Sequence, residues 1–146
     1  MRLLGVAAVS GVLAAWIAGA TPRESAAGAA AVPVESLAWA PVFPDQPSGP
    51  AMAVLWGDPK TGPVGFLVRF PAGGVVPLHV HSSDYRGMVV SGEFSHSAGK
   101  ERSVALAPGS YWSQRGKLPH ANACSAAGPC VVYLTATKGF DLTFVK

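Results

Sequence analysis

The sequence predicts an all-β domain, a sandwich or barrel of the jelly-roll type built from about ten short strands. Hydrophobic residues make up 49% of the 146-residue chain and charged residues 13%, enough apolar surface for one packed core and one domain. Gly (17) and Pro (13) recur between the apolar runs, which suits tight turns better than long helices. From residue 51 onward, short runs with period-two alternation are broken every few residues by turn formers, and no convincing helical period replaces them.

Residues 52–56 are the first apolar run, closed by Gly57-Asp58-Pro59. Residues 65–70 alternate, with Phe66, Val68 and Phe70 on one face and Leu67 and Arg69 on the other. Pro71-Ala72-Gly73-Gly74 turns the chain into a strand at 75–81. After Ser82-Ser83, a strand at 85–91 ends at Gly92. Residues 93–97 are expected to pair with 103–106 across Ala98-Gly99-Lys100. Pro108-Gly109 precedes a strand at 110–113, a loop at 115–119 leads into a strand at His120, and runs at 131–137 and 142–145 close the domain. Trp56, Met88 and Trp112 read as interior filling, because a barrel of this size is packed with its own side chains.

The first twenty residues differ in kind. Arg2 is followed by an apolar stretch from residue 3 to residue 20, interrupted by Ser10 and ending in the small residues Ala18-Gly19-Ala20. This reads as a signal peptide at 1–20, with a second cleavage site at Ala27-Gly28-Ala29 and an uncleaved membrane anchor as the alternative. Residues 21–50 are expected to form a linker and an extended segment punctuated by Pro41, Pro44, Pro47 and Pro50, with Trp39 and Phe43 as anchors onto the domain at 51–146. The expected location is secreted or periplasmic, with no membrane partner once the signal is removed. Two cysteines, Cys124 and Cys130, enclose five residues. In an exported chain such a pair suggests a disulfide, the alternatives being free thiols or a metal pair at a spacing wider than the usual metal knuckle. A formal charge of +3 without a basic run gives no support to nucleic-acid binding.

The chemistry is carried by histidine. In His79-Val80-His81 the two imidazoles point to the same face of a strand, which makes two legs of a metal site. H-x-H alone is a weak signal, but its surroundings are specific. Gly73 lies six residues before His79, Gly92 eleven after His81, and Gly109 eleven before His120. At these positions the chain resembles the cupin superfamily. Its first motif, G-x5-H-x-H-x3,4-E-x6-G, corresponds to Gly73, His79, His81, Tyr85 and Gly92. Its second, G-x5-P-x-G-x2-H-x3-N, corresponds to Gly109, Arg115, Lys117, His120 and Cys124. The likeness covers about residues 51–146 and implies a double-stranded β-helix. It further implies one divalent metal ion (Fe, Zn, Mn, Ni or Cu) on His79, His81 and His120, and a small-molecule ligand or substrate. A second copy of the chain is a further candidate partner.

The departures shape the expected chemistry. Tyr85 stands where the family has its ligand Glu, Arg115 and Lys117 replace the Pro and Gly of the second motif, and Cys124 replaces its Asn. A site of three neutral histidines is similar to the three-histidine iron sites of thiol dioxygenases among cupins. It leaves the ion a larger net charge and welcomes an anionic ligand. Tyr85 is the candidate catalytic residue, as a hydrogen-bond donor to a bound water or substrate. The other readings of it are a weak phenolate ligand and a barrel-lining aromatic. Asp84 replaces the Glu if a bulge shifts the strand by one residue. His96 is either a hairpin histidine near the surface or a pocket histidine that orients substrate. Three functions follow: a metal-dependent oxygenase, isomerase or lyase; a metal-and-ligand sensing module, as in the zinc-binding cupin of some anti-sigma factors; or a structural domain without metal. No G-x-S-x-G elbow or phosphate-binding loop points elsewhere.

Overall fold

Among the described residues the turn-broken alternation folds into eleven strands. The computed structural model describes Gly28 and residues 30–145. The expected signal peptide at 1–20 and the start of the expected linker, 21–27, lie outside the described residues. In chain order the strands are β1 (Ala40–Pro41), β2 (Ala51–Gly57), β3 (Val64–Phe70), β4 (Val75–Val80), β5 (Tyr85–Ser91) and β6 (Phe94–Ala98). They continue with β7 (Val104–Leu106), β8 (Tyr111–Gln114), β9 (His120–Cys124), β10 (Cys130–Ala136) and β11 (Thr143–Phe144). A single 3-10 turn at Val34–Ser36 is the one helical element among the described residues.

Two antiparallel sheets face each other, one of six strands in the order β1-β2-β3-β10-β5-β8 and one of five in the order β11-β4-β9-β6-β7. This is the expected jelly roll. Consecutive strands β3 and β4, and likewise β4 and β5, lie in different sheets, so the chain winds around the core rather than meandering across one face. The core between the sheets is built from the inward halves of the alternating strands: Phe66, Val68 and Phe70 of β3, Val89 of β5, Phe94 of β6, and Val132 and Leu134 of β10.

Three features departed from expectation or went beyond it. The extended segment contributes a strand of its own, as Ala40 and Pro41 pair with Met52 and Ala51 at the edge of the six-stranded sheet, where a proline costs no ladder bond. Trp39 and Phe43 flank it, Trp39 beneath the Arg69 guanidinium (4.6 Å) and Phe43 beside Phe144 (5.6 Å). Trp56 and Met88, expected inside, are 44% and 46% exposed. A bulge between Val54 and Trp56 turns the indole outward across Gly65, where its N–H donates to the Tyr133 hydroxyl (3.1 Å), and Met88 falls on the outer half of the β5 alternation. Trp112 is interior as expected, its indole lying over Gly87, where a Cβ would collide with it.

Cys124 and Cys130 form a disulfide with Cα atoms 5.8 Å apart. It joins the end of β9 in one sheet to the start of β10 in the other.

Candidate metal centre

Local chain geometry brings the histidines together. Pro77 lies within β4, and the pairing with β9 shifts register between Val76 and His79. Beyond this bulge His79 re-enters the ladder directly opposite His120, the first residue of β9. His81 follows two residues on, one residue past the end of the strand, where the expected strand at 75–81 stops short, and its ring lies beside that of His79. All three are buried, at 1%, 3% and 0% exposure for His79, His81 and His120. Their ring centroids are 4.2–5.0 Å apart, and one ligand nitrogen from each lies within 4.8 Å of the others.

Each ring spends its Nδ1–H on a backbone carbonyl. His79 donates to Pro77 (2.7 Å), His120 to Leu118 (3.2 Å) and His81 to Asp141. That fixes the tautomer and leaves every Nε2 lone pair turned toward the common centre. Burial lowers all three ring pKa values, to about 4 for His81 and about 3 for His120, so the rings are neutral donors near pH 7. Three neutral imidazole nitrogens with supported tautomers fit a divalent metal ion.

Tyr85 opens β5 in the facing sheet and reaches across the core. Its O–H donates to His120 Nε2 (3.0 Å), and the Trp112 indole N–H donates to the same hydroxyl (3.4 Å). Burial pushes the Tyr85 pKa up to about 12, so the group stays a phenol and a donor. Asp84, in contrast, points away. It is exposed, and its carboxylate accepts the Gly116 N–H (2.8 Å).

His96 faces inward on β6, with its ring 5.3 Å from that of His120. Its Nε2–H donates to Gln114 Oε1 (3.1 Å), and its Nδ1 is hydrogen-bonded to the Asn122 amide (2.9 Å). Gln114 is held in turn by its own NH2, which donates to the carbonyls of Arg115 and Leu118. Asn122 and Gln114 were not singled out from sequence. Asn122, two residues beyond His120 on one strand, carried the same period-two signal as the H-x-H pair. Phe140, in the connection after β10, carried none. It stacks on His81 (4.2 Å) and meets Tyr85 edge-on (5.4 Å).

A cavity of about 50 Å³ adjoins the cluster, with His79, His81, Tyr85 and Asn122 on its polar side and apolar residues including Met52, Leu134, Phe140 and Leu142 elsewhere. Hydrogen bonds tie the loops beside it together: Ser82 N–H to Asp141 Oδ1 (2.7 Å) and Lys117 N–H to the His81 carbonyl (2.7 Å).

Residues 18–143 match the family described as "Domain of unknown function (DUF4437)". The chain belongs to that family. Solved cupins share its fold. KdgF from Halomonas sp. is 23% identical with a TM-score of 0.57, covering 71% of this chain and 89% of that one. An RmlC-like cupin from Shewanella frigidimarina is 16% identical with a TM-score of 0.59, covering 73% and 87%. The DMSP lyase DddQ from Ruegeria pomeroyi is 18% identical with a TM-score of 0.60, covering 70% and 57%. None of the curated proteins matches the chain by sequence. In this chain the glycines of the two motifs have a visible purpose. Gly73, Gly92 and Gly109 all have positive φ (71°, 78° and 87°), and Lys117, standing where the second motif has Gly, is held at φ 65°.

Proposed function

We propose that this protein is an exported cupin that binds one divalent metal ion on His79, His81 and His120 and acts on a small molecule, as a metal-dependent oxygenase, isomerase or lyase. The observation that supports it best is the set of three buried Nε2 atoms kept as lone-pair donors by Nδ1–H donation to backbone carbonyls, with the Tyr85 hydroxyl on that of His120. A bound ion would supply Lewis-acid polarisation of a ligand oxygen. The chain's own part is to orient and to donate. Tyr85 presents a phenol hydrogen to whatever replaces its hydrogen bond to His120, and Trp112 keeps that hydroxyl aimed. Phe140, Leu142 and Met52 keep water from the ligand's apolar side. Tyr85 is therefore the residue proposed to touch substrate.

The test is metal analysis of purified protein followed by a turnover screen, oxygen uptake on the iron form included. Close to one equivalent of metal with turnover lost in Tyr85→Phe supports the reading, and metal-free protein after growth in supplemented medium overturns it. A sensing module is the second reading, favoured by the small cavity and by structural likeness to the complex of SigE with the anti-sigma ChrR (20% identity, TM-score 0.56). Export is proposed from the apolar stretch at 3–20, with a mature N-terminus near Thr21 or Ala30. Retention of Met1 in N-terminal sequencing would remove cleavage from the proposal.

A further inference from the structure

Resting on the proposed metal centre, we infer that the ligand of this site is a short-chain monocarboxylate of two or three carbons, with Phe140 and Leu142 setting the length limit.

Charge argues for an anion. The three imidazoles are neutral ligands, so a divalent ion there keeps its full charge, and among the described residues no Asp or Glu lines the cavity. An uncompensated charge in an apolar enclosure is costly, and an anionic ligand relieves it. The field outside agrees. The loops at the histidine end of the barrel carry Lys60, Lys100, Arg102, Arg115, Lys117 and Lys138. Asp58, Asp84 and Asp141 on the same loops are engaged with backbone N–H groups, and Glu101 lies exposed between Lys100 and Arg102, so six cations against four carboxylates leave this end at +2. The loops at the other end, residues 71–74, 92–93, 107–110 and 125–129, carry no Lys or Arg. Basic loops gathered around one mouth draw anions to it.

Size and polarity argue for a short aliphatic acid. One water needs roughly 10–15 Å³ of such space, so a cavity of about 50 Å³ holds about three to five non-hydrogen atoms. The polar side offers the Tyr85 hydroxyl and the Asn122 amide beside the histidines, room and donors for a single carboxylate head. The remaining wall, including Met52, Leu134 and Leu142, suits a methyl or ethyl tail. Phe140 closes the space against His81 and Tyr85, and a longer chain would have to displace it.

The experiment is calorimetric titration of metal-loaded protein, with its metal content measured, using acetate, propionate and hexanoate against acetamide and propionamide. Acetate and propionate should bind at least tenfold tighter than their amides and than hexanoate. Phe140→Leu should bring hexanoate to within a few-fold of propionate. Leu142→Ala, on the same wall, should move the limit in the same direction. Loaded protein that binds amides as well as acids, or hexanoate as well as acetate, overturns this inference alone. Protein that takes up no metal overturns the metal centre and this inference with it. An unchanged length profile in both variants, each folded by circular dichroism, removes the assignment of Phe140 and Leu142.

Discussion

Two histidine environments lie side by side in this barrel and differ in one respect. His79, His81 and His120 each commit one ring nitrogen to a backbone carbonyl and keep a lone pair on the other, which at His120 accepts the Tyr85 hydroxyl. His96, within 5.3 Å of His120 ring to ring, commits both nitrogens to the amides of Gln114 and Asn122. Proximity alone would enrol all four histidines in one site. Counting lone pairs enrols three, and the fourth becomes part of the frame. A histidine is available to a metal only if its hydrogen-bond partners leave a nitrogen unspent.

That difference predicts the largest effect. His120→Ala should retain less than about a tenth of the wild-type metal, because two imidazoles hold a divalent ion far less tightly than three. His96→Gln should retain close to the full equivalent. Metal analysis of the two purified variants checks both. Equal loss in the two would mean that His96 belongs to the ligand set and that lone-pair counting fails here.

The three triad histidines should also make the metal-free protein sensitive to acid. Their folded pKa values lie below the unfolded value of 6.5, at about 4 for His81 and about 3 for His120. The unfolded chain therefore takes up protons first. Stability is intact above pH 6.5 and falls as the pH drops toward 4, by about 1.4 kcal/mol per pH unit for each such histidine at the limit. Denaturant unfolding in chelator at pH 7.5 and pH 5 should show a loss on the order of 2–4 kcal/mol. A curve flat over that range would mean that the rings are solvated in the metal-free state.

The sequence disclosed the triad because its information is local and periodic. H-x-H on a strand needs nothing beyond side-chain alternation, and the motif glycines mark turns whose φ angles suit glycine. The outward face of Met88 was legible by the same alternation, since Tyr85 and Val89 on its strand point inward, but the face of Trp56 was not. A bulge at Val54 and Trp56 reverses the expected face, and bulges leave little trace in composition. The substitute for the motif glutamate was legible as a position but not as a contact. Tyr85 reaches His120 from the facing sheet, a distance set by how the two sheets pack. Phe140 was invisible because a loop residue has no period.

Tyr85→Phe sharpens the comparison from the other side. It removes the one side-chain hydrogen bond made to a triad Nε2 among the described residues, while the bonds of His96 to Gln114 and Asn122 keep both their partners. The metal-free protein should lose about 1–2 kcal/mol, the cost of leaving the buried His120 nitrogen and Trp112 N–H unpartnered. In the metal-loaded protein the loss should be smaller, because the metal then satisfies the nitrogen. Thermal unfolding with and without metal separates the two. An equal loss in both states would mean that the hydroxyl does not compete with metal for that lone pair.

The smallest effect concerns how the two halves of the triad are held in register. Lys117 N–H donates to the His81 carbonyl, which fastens the loop leading into His120 onto the end of β4. To make that bond Lys117 adopts φ 65°, a conformation that costs a residue with a Cβ roughly 1–2 kcal/mol. The motif's glycine would avoid that cost, at the expense of a more flexible unfolded chain. Lys117→Gly should therefore stabilise the fold by about 0.5–1 kcal/mol, with metal content unchanged because the backbone bond survives. Denaturant unfolding near pH 7.5 in chelator measures the first and metal analysis the second. Destabilisation would show that the lysine side chain makes up the backbone cost through packing. Metal loss with unchanged stability would show that the loop needs the lysine's stiffness to present His120.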